Sequence, residues 1–398
     1  MGKTALFISG AFGLGHIVRD LAIAKALCRK DPTVDIQWLA SGPAGRAVEE
    51  AGEKLLPKSV QFADLNLHAE RTAKGVEFSL VNYMKQTRKY TFRNVEIFKK
   101  LLSEHYFNAV VADTAFEISL ARADDPNLKR IPYVEMFSFI GFNSMKHNPF
   151  EKIKVYLWNS IWSRDYKRPE DLKYLSLFLG EPDDVPDLRF GIFLPRLREY
   201  AEKKCLFTGY VINFDPRDYV NQNEVKEKLG YDKKPLLLCA IGGTTIGKSM
   251  IDLCGSAYSL IKEQIPDLHM VMVCGPRLST EDIQVPNGVD IRGYVPRLYE
   301  HFAASDIAIV QGGGTSTLEL TALGRPFIFF PLERHFEQQI HVTERLSRHG
   351  AGTRMSYKTA TPESLADAVV SNIGKKVDHV QISTDGAQKA AQYILQLF

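Results

Sequence analysis

Two kinds of residue in this sequence are placed to do chemistry: an acid–base pair in the first half and glycine-rich loops followed by hydroxyls in the second. His16 closes the loop Gly10-Ala11-Phe12-Gly13-Leu14-Gly15-His16, which follows the apolar run Ala5–Ser9 and opens a helix-period stretch, Ile17–Cys28. An imidazole titrates near neutral pH, so at a loop-to-helix junction it can take the proton of an attacking hydroxyl. Asp113 ends the apolar run Ala109–Ala112. A carboxylate there can accept a hydrogen bond from the other ring nitrogen, fix the tautomer and stabilise the imidazolium. Each has an ordinary alternative, because a lone histidine is more often structural and an Asp before a helix starting near Thr114 can be its N-cap.

The densest signal is Gln311-Gly312-Gly313-Gly314-Thr315-Ser316-Thr317-Leu318-Glu319, directly after the strand-length run Asp306–Val310 and opening a helix through Ala322. Three consecutive glycines let backbone N–H groups approach a bulky group. The Thr315 and Ser316 hydroxyls and the positive end of the helix dipole add to an anion site suited to a diphosphate. A tight turn with Thr315 as N-cap is the plainer account. One turn on, Glu319 offers two acceptor oxygens to a ribose diol, or else serves as a first-turn capping glutamate. Glu337 and Gln338, after the apolar strand Pro326–Phe330, can bind sugar hydroxyls or simply open a helix.

Gly242-Gly243-Thr244-Thr245-Ile246-Gly247-Lys248-Ser249 satisfies the P-loop pattern and follows the run Pro235–Ile241. A P-loop also needs a magnesium-binding acid at the end of a neighbouring strand. The candidate strands end instead in Cys274 and Gln311. The segment reads better as a loop that approaches phosphate without NTP hydrolysis, with Gly243 and Thr244 at the ligand. The Gly10–His16 loop lacks the dinucleotide spacing and the next run, ending Trp38-Leu39-Ala40-Ser41, carries no ribose-binding acid. No Asp-x-Asp, His-Glu-x-x-His, zinc-spaced Cys/His cluster or Gly-x-Ser-x-Gly occurs. The expectation is a metal-independent reaction without a prosthetic group.

These residues need strand-to-helix loops to hold them, and the chain supplies them. Strand-length apolar runs (Ala5–Ser9, Val34–Ala40, Ala109–Ala112, Ile131–Glu135) alternate with helical stretches such as Phe78–Glu104. The pattern restarts with Pro235–Ile241, His269–Cys274, Ile307–Val310 and Pro326–Phe330. This predicts an α/β protein of two Rossmann-like parallel domains facing a cleft. The turn-rich Asn213–Asn223 segment separates them. The expected division is 1–210, 211–385 and a C-terminal helix over 386–398 that packs back on the first domain. With 398 residues, 45% hydrophobic and 24% charged, the chain is an ordinary globular protein of about two domains. A net charge of +3 without a basic block argues against nucleic acid as partner. Five cysteines without a C-x-x-C pair read as reduced thiols. No signal h-region or membrane-length run is visible, which points to the cytoplasm, with peripheral contact at the inner face of the membrane left open.

Taken together the residues resemble a GT-B glycosyltransferase of the inverting superfamily that unites family-one UDP-glycosyltransferases with the lipid-linked GlcNAc transferase of family twenty-eight. The resemblance is most specific from Ile291 to Gly352. Gly293-Tyr294-Val295-Pro296-Arg297 resembles the family's uracil segment and Gln311–Glu319 its phosphate and ribose element. Gly324-Arg325-Pro326 and then Glu337-Gln338 follow at the family's spacing. The resemblance implies that Tyr294 stacks on uracil, that the Val295 backbone reads its edge and that Glu319 binds the ribose. It implies that Gly313, Thr315 and Ser316 hold the diphosphate, with His16 as catalytic base and Asp113 as its acidic partner. Gln311 stands where the family has a phosphate-binding His, and Arg297 where it has Gln. Gly15, Gly243, Thr244, Gly312 and Gly314 complete the expected donor contacts. The co-substrate implied is a UDP-sugar.

The acceptor is legible only as a class. Aromatics over Phe137–Trp162, and cations such as Lys85, Arg88 and Lys89 among the apolar residues of Phe78–Glu104, suit an apolar small molecule or a lipid-linked acceptor, although aromatics at helical spacing are usually core. A UDP-sugar 2-epimerase of the same fold, a P-loop NTPase and a non-catalytic relative are the competing readings.

Overall fold

The computed structural model describes residues 2–9, 13–72, 76–145, 148–167, 171–243, 245–377 and 382–398. The chain forms two units: Met1–Thr72, Ser79–Asn213 and Ser383–Phe398 in the first, Ala73–Phe78 and Phe214–Ile382 in the second.

The first unit is built on seven parallel strands: β1 (Lys3–Ser9), β2 (Val34–Ala40), β3 (Lys54–Leu55), β4 (Ala109–Asp113), β5 (Tyr133–Phe137), β6 (Tyr174–Phe178) and β7 (Cys205–Phe207), in the order β3-β2-β1-β4-β5-β6-β7. β4 and β5 are buried along their whole length. Helices on both faces of a parallel sheet bury its strands end to end, so β4 is apolar up to Asp113 and β5 is apolar apart from the buried Glu135. The chain winds outward from β1 through β2 to β3, then returns to place β4 on the other side of β1, with Ser9 opposite Asp113. That reversal leaves a crevice beyond the strand C-termini, the usual place for a ligand in open α/β sheets.

The second unit repeats the scheme with β8 (Leu236–Ala240), β9 (His269–Val273), β10 (Val289–Arg292), β11 (Ile307–Gln311), β12 (Phe327–Phe330) and β13 (Thr353–Arg354), ordered β10-β9-β8-β11-β12-β13 and again parallel. Its reversal lies between β8 and β11. The two loops read as phosphate-approaching leave the ends of these adjacent strands.

The C-terminal helix Gly386–Leu395 belongs to the first unit, as expected from its amphipathic pattern. Its stripe of Ala387, Ala390, Ala391 and Ile394 is buried in one cluster with Ile17, Ile23 and Leu27 of the Leu14–Lys30 helix. Gly386 is fixed by close approach, since a Cβ there would lie 2.5 Å from the Tyr210 carbonyl oxygen. Residues 211–213 also fall in the first unit, whereas the segment ending at Phe78 falls in the second.

Three differences from the sequence expectation have physical causes. The run Ile131–Glu135 becomes a strand only from Tyr133, because Pro132 has no N–H to give a ladder. β7 and β10 are edge strands, short and only partly buried, so they carry too little apolar sequence to stand out as strands such as β4 and β8 do. The aromatics of Phe137–Trp162 turn largely inward: Phe137, Phe139, Phe142 and Trp162 meet at ring-centroid separations of 5.2–6.0 Å, with Phe116 and Phe190 around them. They are core rather than an open acceptor wall.

Candidate active site

In the first unit, the helix Leu14–Lys30 starts at Gly13, whose φ of 81° is a conformation open mainly to glycine. Gly15 is the second residue of that helix and His16 the third. Gly10, Ala11 and Phe12 lie outside the described residues. His16 is buried, and its Nδ1 lies 2.8 Å from Oδ2 of the fully buried Asp113. Arg19, one turn further on, grips the same carboxylate: Nη2 is 2.7 Å from each oxygen and Nε is 3.0 Å from Oδ2. Thr114 Oγ1 donates to Oδ1 at 2.8 Å.

Burial alone would raise the Asp113 pKa, but the charges of Arg19 and His16 and their hydrogen bonds outweigh it and hold the carboxyl well below the usual range. Asp113 is therefore an anion and can only accept. Nη2 of Arg19 also lies 2.7 Å from His16 Nδ1, so this ring nitrogen meets both the carboxylate and the guanidinium. An anionic Asp113 favours a proton on Nδ1 facing it, which leaves the ring's lone pair on Nε2. Asp113 is not a cap, since the following helix, Phe116–Asp124, starts from Ala115 without a side-chain cap.

Behind this group sits Asp20, buried and accepting from Ser9 Oγ at 2.5 Å. Burial and the neighbouring Asp113 charge push its pKa well above the ordinary value. The sequence reading does not single out Arg19 or Asp20, although an arginine one turn from the candidate histidine lies on the same helix face, a usable signal for Arg19.

In the second unit the helix Gly314–Ala322 starts from Gly313 with no side-chain cap. Neither Thr315 nor Glu319 serves as the capping residue. Gly312 is a packing glycine, because a Cβ there would lie 2.8 Å from Pro331 Cα. Gly313 and Gly314 are different: a Cβ at either would meet nothing within 4 Å, and neither has positive φ. Glycines required by neither backbone nor packing leave the N–H groups of the first turn open to a ligand. Arg345 Nη2 donates to the Gly314 carbonyl at 2.8 Å and to Thr317 Oγ1 at 3.2 Å, bracing the turn from behind. Nothing local in the sequence marks that residue.

Glu319 is buried and accepts no hydrogen bond from a described residue, and burial pushes its pKa up to about 8. Gln311 lies inside the reversal, not on an open face. Its Oε1 is 3.5 Å from the Gly242 N–H, and a Cβ on Gly247 would stand 2.5 Å from its Nε2, so this amide fills the space between the two loops. Gly243 is buried in the β8 loop, and Thr244 lies outside the described residues. Lys248 turns along its own helix to Asp252, 3.1 Å away.

Tyr294 is 43% exposed beyond β10, and Val295 packs partly into the core behind it. Arg297 adopts φ 51° and pairs with Glu300 at 3.3 Å. Glu337 and Gln338 open a π-helical turn, Glu337–Val342, a local form frequent at functional sites. Gln338 Oε1 accepts from the Leu332 N–H at 2.8 Å. Among the described residues no group of His, Cys, Asp and Glu has the arrangement of a metal site.

Residues 237–396 match the glycosyltransferase family 28 C-terminal domain. Over 380 residues the chain is 30% identical to an uncharacterized glycosyltransferase of Methanosarcina acetivorans, covering 92% of this chain and 89% of that relative. It is 29% identical over 190 residues to the UDP-N-acetylglucosamine–N-acetylmuramyl-(pentapeptide) pyrophosphoryl-undecaprenol N-acetylglucosamine transferase of Clostridioides difficile, covering 46% and 45% of the two chains. Of two other Methanosarcina glycosyltransferases the matched stretch spans only about a quarter of the length, 26% and 27%. The crystal structure of the glycosyltransferase of kitacinnamycin superposes with a TM-score of 0.59 at 15% identity, covering 100% of this chain and 94% of that one. The chain belongs to the glycosyltransferases, with the two Rossmann-like domains of the GT-B fold.

Proposed function

We propose that the protein moves a hexose-type sugar from a UDP-sugar to a hydroxyl of an apolar small-molecule or lipid-linked acceptor, inverting the anomeric carbon without a metal. The observation that carries this reading is that each unit keeps unspent chemistry at its strand-order reversal. One holds a histidine backed by a buried anion; the other holds an uncapped helix N-terminus beside an unpartnered glutamate.

In the reaction, His16 Nε2 takes the proton of the acceptor hydroxyl as its oxygen attacks the anomeric carbon. Asp113 stabilises the imidazolium that forms, and Arg19 and Thr114 hold Asp113 in place. The bond from sugar to β-phosphate breaks, and the growing charge meets the first-turn N–H groups and the Thr315 and Ser316 hydroxyls, which are fixed in advance. Glu319, with burial holding its proton to about pH 8, can both donate to and accept from the ribose diol. Tyr294 offers a ring to the uracil, with the Val295 backbone at its edge, and Glu337 and the Gln338 amide group face the sugar. The Clostridioides relative supports a UDP-sugar donor and a polyprenyl-linked acceptor through its name. Action at the cytoplasmic face of a membrane belongs to the same reading.

The test is calorimetric titration with UDP, dTDP and ADP, with magnesium and with EDTA, followed by acceptor-dependent release of UDP from UDP-sugars. Magnesium-independent UDP binding and acceptor-dependent turnover are expected. Preference for ADP with magnesium, or UDP release without an acceptor, overturns the reading in favour of an NTPase or an epimerase respectively.

A further inference from the structure

The loop Gly293–Arg297 leaves the end of the edge strand β10 and enters the helix Leu298–Ala304, with Tyr294, Pro296 and Arg297 exposed. Arg297 closes it at φ 51°, in the left-handed region where a residue with a Cβ is strained. Such a conformation persists only where its surroundings over-determine it. Here they supply a clasp. Arg292, the last residue of β10, donates from Nη1 to the Tyr231 hydroxyl at 3.0 Å, and that hydroxyl lies 2.6 Å from Nδ1 of His301 in the following helix. One buried phenol oxygen therefore ties the residue just before the loop to the helix just after it. Tyr231 is anchored elsewhere: it follows the helix Gln222–Lys228 through Gly230, at φ 75°, and its ring sits in one core cluster with Leu238 of β8 and Val271 of β9. Val295, inside the loop, packs against the same cluster. Asp290 holds Arg292 from the other side, accepting from Nε at 3.0 Å and from Nη2 at 2.6 Å, so Nη1 is the nitrogen that meets the phenol.

The clasp has a direction. An arginine can only donate, so the phenol oxygen accepts from Arg292 and its own hydrogen is available to Nδ1 of His301. That second bond needs a neutral ring, and burial together with the Arg292 charge holds the His301 pKa below its ordinary value. For packing alone a phenylalanine would serve at position 231 as well, so the hydroxyl answers to these two bonds. We propose that Tyr231 is a positioning residue for base recognition: through Arg292 and His301 it sets the Gly293–Arg297 loop in the conformation that meets the uracil of the donor. The proposal rests on the reading of that loop as the uracil segment. A loop ordered before the ligand arrives lowers the conformational cost of binding, so affinity for the base depends on a buried hydroxyl outside the loop itself.

The test compares the full-length wild type with Tyr231→Phe, His301→Ala and His301→Asn, the last keeping an acceptor oxygen in place of Nδ1. Hydrogen exchange of the free proteins reads the loop, while calorimetry with UDP, ADP and inorganic pyrophosphate reads base and phosphates separately. Tyr231→Phe and His301→Ala are expected to exchange the amides of the Gly293–Arg297 loop faster and to bind UDP about fivefold more weakly, the scale of one hydrogen bond, with pyrophosphate affinity unchanged. His301→Asn should keep most of the wild-type preference for UDP. Should Tyr231→Phe fail to fold, the two His301 variants carry the comparison. A merely structural hydroxyl would lower the melting temperature and leave the ratio of UDP to pyrophosphate affinity as in wild type, and that result overturns the proposal. Unaltered loop exchange in the folded variants overturns it too. A wild type that binds UDP no better than ADP overturns the donor reading and this proposal with it, whereas a UDP-selective wild type with equally selective variants overturns the proposal alone.

Discussion

Arg19 donates to both carboxylate oxygens of Asp113 through one nitrogen, at 2.7 Å each, so the acid that orients His16 is itself clamped by a partly buried cation. The pair is enclosed, with Asp113 fully buried.

Replacing His16 by Ala should slow the chemical step by about 100-fold or more while UDP affinity is retained, because general-base effects are of that size and the residue is assigned to the acceptor. Single-turnover rates and calorimetry on the same variant test both halves. A loss of nucleotide binding would contradict the assignment.

Replacing Asp113 by Asn should destabilise the protein by about 3–5 kcal/mol at neutral pH, as expected when one partner of a buried ion pair is removed and Arg19 stays behind. The Asp113 pKa is depressed in the folded state, so its contribution is present above the unfolded pKa and declines as pH falls through the folded one. Urea denaturation should therefore show the gap between wild type and variant narrowing toward acid. A constant gap from neutral to strongly acid pH would exclude the ion-pair account.

Glu319→Ala should weaken UDP binding by about 1–3 kcal/mol, the scale of a lost hydrogen-bonding partner. Its stability effect has the opposite pH sign to that of Asp113. With the folded pKa raised to about 8 by burial and the unfolded value near 4.5, the stability it contributes is full below pH 4.5 and is lost as pH rises through 8. Glu319→Gln, which cannot ionise, should gain in melting temperature relative to wild type between those limits. Parallel melting curves across that range would return Glu319 to an ordinary solvated acid.

The two kinds of glycine before the Gly314–Ala322 helix can be separated by substitution. Gly314→Ala should leave folding unharmed or raise stability by up to about 1 kcal/mol, since alanine is the better helix former and its Cβ meets nothing, yet should weaken UDP at least about tenfold. Gly312→Ala should instead cost about 1–3 kcal/mol of folding stability, because its Cβ would press on the Pro331 backbone. Melting temperature and calorimetry on both variants distinguish them. Equal nucleotide affinity in Gly314→Ala and wild type would remove the phosphate role of the loop.

Much of this protein was legible without its tertiary structure. The apolar runs of β1, β4, β8, β9, β11 and β12 are continuous because both faces of a parallel sheet are covered, so composition alone marks them. The glycine-rich loops and His16 stand at strand-to-helix junctions, a local property that spacing reveals. What the order of residues could not state is which strand ends become neighbours. Asp113 lies beside His16 because β4 returns next to β1, and Gln311 reaches the Gly242–Gly247 loop because β11 returns next to β8. Both are consequences of packing between segments far apart in the chain. Partnership is likewise a three-dimensional fact: Thr315 and Glu319 had plausible capping roles in sequence, and only the uncapped helix start and the empty space around Gly313 and Gly314 set those roles aside. The exposed hydrophobic stripe of Phe150, Ile153 and Leu157 on the helix Pro149–Trp162 carries the same period as a core face. Only the opposite side of the helix is covered, where Val155 is buried and Trp162 packs into the aromatic core.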